Sequence, residues 1–125
     1  MGDKPTTLQF LHRELLGSYP EDISNAIAAD VLVIPVTKPL VLKTTGADAE
    51  ALTLANGHPG QVLVINLVTD GGGDGTLTPA TATGWVTAVL ADAGDSLTLM
   101  YVNDTLGWIV LGATGVSGPP AIAIT

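Results

Sequence analysis

The chain contains no cysteine, so disulfides and thiolate metal sites are excluded and nothing can be read about a redox compartment. It has no apolar run near the ~18 residues that a membrane helix needs. Arg13 and Glu14 interrupt the single apolar stretch near the N-terminus, so that stretch does not read as a signal peptide. These absences predict a soluble protein made in a cytoplasm. Charge is scarce too, at 13% of residues against about 25% in ordinary globular domains. Cations are scarcest: Lys4, Arg13, Lys38 and Lys43 are the only basic side chains, leaving residues 44–125 with none. A segment without cations has nothing to offer phosphate. Nucleic acid is therefore excluded as a partner of that region, and an anionic membrane surface is disfavoured.

What remains is an acidic, apolar chain of one domain's length: 125 residues, net charge −8 and positive mean hydropathy. Such a chain is either an Ala/Gly/Thr-rich monomer or a protein whose surface largely meets other subunits. Interface cores are depleted in charge, and we take the second reading.

Two regions differ in pattern. In residues 1–30, Thr6 or Thr7 can cap a short helix through Leu16, with Leu8, Leu11 and Leu15 on one stripe and Phe10 beside it. Gly17 and Pro20 then stop it. A helix of about ten residues is marginal alone and needs a surface for its stripe, either its own β domain or a neighbouring molecule. Residues 1–30 are thus expected to form an arm, with Leu8, Phe10, Leu11, Leu15, Leu16 and Tyr19 as anchors on a partner or neighbour.

Residues 31–125 read as strands. Short apolar segments (VLVIPV, QVLVINLV, SLTLMYV, GWIVL) alternate with loops rich in Gly, Asp, Asn and Pro. The clearest unit is a β-hairpin over 91–112, with Leu97, Leu99 and Tyr101 on one face and Ser96, Thr98 and Met100 on the other. The spacing predicts an all-β domain, an antiparallel sandwich or barrel of about eight short strands. An internal echo accompanies it: ADAEALTL at 47–54 and ADAGDSLTL at 91–99 match with one insertion.

Reactive constellations are absent. His12 and His58, the only imidazoles, lack a second His or Cys at ligand spacing, so no zinc site is expected. Ser96, His58 and Asp95 can be named as a triad, yet no Gly-x-Ser-x-Gly elbow supports one. No catalytic residue and no cofactor is expected. The single metal candidate is the loop TDGGGDGT at 69–76, where Asp70 and Asp74 could face Ca²⁺. It lacks the third and twelfth ligands of an EF-hand loop and more simply reads as a hairpin connection. Trp85 and Trp108 are assigned, with Leu97, Leu99 and Tyr101, to the core or a subunit interface, each indole N–H bonded at a rim. Exposed, the two tryptophans would instead offer a sugar platform.

One resemblance bears on function. The cadence GQVLVI at 60–65, TLTP at 76–79, GDSLTL at 94–99 and GWIV at 107–110, within the span Leu40–Gly115, resembles the β domains of tailed-bacteriophage virion proteins. It is most similar to head decoration (cement) proteins. The resemblance implies a non-enzymatic homotrimer on the outer capsid surface of the virion, bridging subunits of the major capsid protein and stabilising the head. The alternative from the same group is a fibre module that binds a receptor or carbohydrate.

Overall fold

The structure, a computed structural model, describes residues 23–115 and 122–125. Ten strands occur among them and no helix: β1 (Ser24–Ile27), β2 (Val33–Ile34), β3 (Leu40–Thr44), β4 (Glu50–Leu54), β5 (Val62–Thr69), β6 (Gly75–Pro79), β7 (Ala88–Leu90), β8 (Ser96–Tyr101), β9 (Trp108–Thr114) and β10 (Ala123–Ile124). They form two five-stranded sheets. Sheet A has the order β1-β3-β5-β8-β9 and sheet B the order β10-β7-β6-β4-β2.

The all-β expectation holds, but the antiparallel one does not. In sheet A, β1, β3 and β5 are mutually parallel. In sheet B, β2, β4 and β6 are parallel as well. The remaining pairs are antiparallel, so both sheets are mixed. Neither sheet closes on itself, so the fold is not a closed barrel.

The parallel pairs follow from how the chain crosses over. Three successive strand pairs, β1–β2, β3–β4 and β5–β6, each begin in sheet A and end in sheet B. Each pair is an arch, and the three arches stack with the chain running the same way in every one. From β7 the direction reverses: β7 lies antiparallel to β6, and β8 lies antiparallel to β5. The β8–β9 hairpin appears as expected, with Leu97, Leu99 and Tyr101 fully buried and Ser96, Thr98 and Met100 on the other face.

Between the sheets lies one apolar cluster. Val41, Leu63, Ile65, Leu67, Leu97 and Leu99 of sheet A meet Leu52, Leu54, Leu77 and Leu90 of sheet B, all essentially without solvent contact. Truncating any one of these leucines to alanine costs about 2–5 kcal/mol through lost transfer energy and the cavity left behind. Pro35 follows β2, a two-residue strand at the edge of sheet B, where a missing N–H breaks no ladder. Ser24–Ile27, which the sequence left to the arm, forms the opposite kind of edge, on sheet A.

Candidate functional site: two uncharged sheet faces

The outward faces follow from the pairing register. On sheet A, one row across the strands reads Ser24, Leu40, Val64, Thr98, Gly112. The next reads Ala26, Leu42, Asn66, Ser96, Thr114, and a third aligns Val62, Met100 and Ile109. None of these residues ionises. The outward face of sheet A is therefore uncharged, with Leu40, Leu42, Val62, Val64, Met100 and Ile109 set among Ser24, Asn66, Ser96, Thr98 and Thr114. Strand β5 itself is apolar on both faces apart from Asn66 and Thr69, as strands covered on both sides are. The sequence carried the signal in VLVINLV of β5, which is a near-continuous apolar run rather than an alternation.

Sheet B's outward face is smoother. Its rows read Val33, Thr53, Thr78 and Ala51, Thr76, Val89, Ala123, again without an ionisable group. Beside it Val31, Leu32 and Val33 form a continuous exposed lip, 46%, 42% and 62% accessible, and Val86 on the connection into β7 is 65% accessible. Isolated exposed apolar residues are ordinary. A contiguous run next to an uncharged face makes this side of sheet B the candidate contact surface.

The polar groups that are buried hold the arches rather than forming a reaction centre. Lys43 and Glu50 are both withdrawn from solvent, and the Lys43 Nζ stands 2.8 Å from Glu50 Oε1, which has no other partner. The ammonium also donates to the carbonyls of Ala28 at 2.8 Å and Val31 at 2.7 Å. Glu50 Oε2 accepts the N–H groups of Gly46 at 2.6 Å and Asp30 at 3.1 Å. Burial alone would raise the Glu50 carboxyl, but the bonds from Lys43, Gly46 and Asp30 outweigh it and leave the group below its ordinary value. Asp30 sits at φ 67°, a left-handed conformation that aspartate tolerates better than most residues.

Asp95 plays the matching part in the arch from β7 to β8. Its Oδ2 accepts the N–H groups of Ala91 at 2.9 Å and Asp92 at 3.0 Å. The internal echo thereby acquires a physical meaning. In both copies the acid that ends the arch turns back to bond the backbone that began it, Glu50 to Gly46 and Asp95 to Ala91.

The glycine-rich loop is an arch as well, not a hairpin connection, since it carries the chain from β5 in sheet A to β6 in sheet B. It lies directly on the 45–49 arch, with Gly73 N–H donating to the Gly46 carbonyl at 2.9 Å and Glu50 N–H to the Asp74 carbonyl at 2.8 Å. A Cβ on Gly73 would fall 1.9 Å from the Asp48 carbonyl oxygen. The glycine is there because two backbones touch. Of the proposed calcium ligands, Asp70 turns its Oδ1 to the N–H of Gly72 at 2.8 Å and Asp74 is exposed. Among the described residues, no three His, Asp or Glu side chains are grouped to hold a metal ion.

Trp85 and Trp108 are buried, and their indoles donate to the carbonyls of Trp108 and Ala55 at 3.0 and 2.9 Å. Trp108 packs edge-on against Tyr101 with centroids 5.2 Å apart, and the Tyr101 hydroxyl donates to Asp104. The sugar-platform alternative loses its aromatic surface. His58 is exposed in a turn beside the Tyr101 end of β8, whereas Asp95 and Ser96 stand at the opposite end of that strand, so the three are not brought together. The arm anchors Leu8, Phe10, Leu11, Leu15, Leu16 and Tyr19 lie outside the described residues.

No protein-family model matches the chain, and no curated protein matches it in sequence.

Proposed function

We propose that the chain is a capsid decoration protein of a tailed phage, a structural β-sandwich that binds the outer face of the head as a homotrimer and bridges neighbouring major capsid subunits. The observation that carries this reading is the uncharged outward face of sheet B with its lip at Val31–Val33. A flat surface of threonine, alanine and valine can be desolvated at little electrostatic cost, which suits a large contact with another protein. The stacked arches supply the stiffness that a cement protein needs. Their glycine contacts and buried Lys43–Glu50 pair leave the face little freedom to lose on docking, and less ordering cost means tighter binding per unit area.

The test is co-sedimentation with empty heads of the cognate phage assembled without this chain. The wild-type protein is expected to pellet with the heads and raise their resistance to heat. Thr53→Lys, which places a charge in the middle of the sheet B face without touching the core, is expected to lose binding while keeping the fold. Failure of the wild-type chain to associate with heads would overturn the reading.

A further inference from the structure

The outward face of sheet A carries an apolar strip, and the sequence before β1 holds an apolar segment long enough to lie on it. Leu40 and Val64 are register partners, Val62, Met100 and Ile109 form the row beside them, and neither row holds an ionisable residue. At its β1 margin this surface deepens into an apolar groove of about 270 Å³ lined by Ala26, Leu42, Thr44 and Val68 together with Ile27 and Ala28. Ile23 leads into β1 at that same margin. The 22 preceding residues include Leu8, Leu11 and Leu15, which would share one stripe of a helix with Arg13 opposite.

The lengths agree. Eleven residues, 6–16, would span about 16 Å as a helix. Five strands at about 4.8 Å spacing put β1 and β9 about 19 Å apart. The six residues from Gly17 to Asp22 reach at most about 20 Å when extended, enough to return the segment over its own sheet. A tether that short holds the stripe at millimolar effective concentration over the face, well above what a separate molecule supplies in dilute solution.

We propose that residues 6–16 cover the outward face of sheet A in the same chain, seating Leu8, Leu11 and Leu15 along the Leu40–Val64 row and against the β1 groove. The arm anchors that the sequence offers to a partner then have a nearer surface, and the sheet B face stays open for docking. The cover does not depend on the decoration reading, because it concerns one chain alone.

The absence of cysteine makes disulfide trapping clean. The full-length double variant Leu11→Cys, Val64→Cys, oxidised at low concentration, is expected to form an intrachain bond, seen as faster migration without reductant and the loss of two hydrogens in intact mass. Leu11→Cys paired with Thr53→Cys, on the opposite face, is expected to form none. A bond appearing only between separately mixed Leu11→Cys and Val64→Cys chains would overturn the proposal by placing the arm on a neighbour. Equal trapping at positions 64 and 53 would overturn it by showing no preferred seat. A second measurement leaves the sheet untouched: Leu11→Asp in the full chain should raise binding of an apolar-surface dye several-fold without changing the β spectrum. Unchanged dye binding would also contradict the cover. Head co-sedimentation of the same variants reports separately on the decoration reading.

Discussion

Lys43 of β3 and Glu50 of β4 form an ion pair across the two sheets, 2.8 Å apart and sealed from solvent. The pair ties the β3–β4 arch to the Ala28–Val31 segment, where the chain crosses from β1 to β2. Removing one partner leaves the other charge buried and alone, at a cost of about 3–5 kcal/mol. Lys43→Met and Glu50→Leu are each expected to lower denaturant stability by that order. The double variant should recover part of the loss, because an apolar pair of similar volume carries no desolvation penalty. A double variant as weak as the sum of the singles would contradict this.

Glu50 also sets an acid limb. Its folded pKa lies below the ordinary 4.5, so the unfolded chain takes up the proton first as the pH falls. The stabilisation is complete above pH 4.5 and is lost as the pH drops through the folded value. Stability measured from pH 7 downward is expected to fall less steeply in Glu50→Gln than in the wild type.

Tyr101 sets the alkaline limb. Burial, and then the Asp104 carboxylate beside it, push the phenol up from 10.0 to about 12. A raised folded value means the contribution is complete below pH 10.0 and disappears as the pH climbs through about 12. In a Tyr19→Phe background, where Tyr101 is the only tyrosine, tyrosinate absorbance should rise near the higher value, and Asp104→Asn should move it down. Titration at 10.0 in the folded protein would contradict the burial of this ring.

Gly73→Ala is expected to cost on the order of 2 kcal/mol or more, as steric and backbone disruptions in packed sites do. Its Cβ would overlap the Asp48 carbonyl, and neither backbone can move without parting the stacked arches. Gly112→Ala serves as the control, since a Cβ there meets nothing within 4 Å. Thermal unfolding of the two variants makes the comparison.

Asp95→Ala leaves the Ala91 and Asp92 N–H groups without their carboxylate. The loss is expected at about 1–3 kcal/mol, the range for partly buried donors left unsatisfied. Asp95→Asn keeps an acceptor and should fall between the two, by the same denaturant measurement.

Much of the strand pattern was legible because side-chain alternation is local. Leu97, Leu99 and Tyr101 announced their face, whereas the sequence left the two tryptophans between a core place and an exposed one. Strand direction was not legible. Nothing local to Leu40–Thr44 or Val62–Thr69 says that the two run parallel, because that follows from arches whose ends pair with other arches. The loop at 69–76 misled for the same reason, its glycines being explained by Asp48 and Thr45 on a different arch. Nothing local to Lys43 marks it as buried, and only its meeting with Glu50 accounts for a lysine at an inward strand position. The echo between 47–54 and 91–99 was visible, but its meaning lay in which backbone each acid reaches.

The central claim is that this chain acts by laying uncharged β surface against other protein, and light scattering on the purified full-length chain tests it most directly. The account predicts the mass of three 12.6 kDa chains, held on dilution. A single-chain mass at every concentration, for a molecule that stays dispersed without a partner, would contradict it.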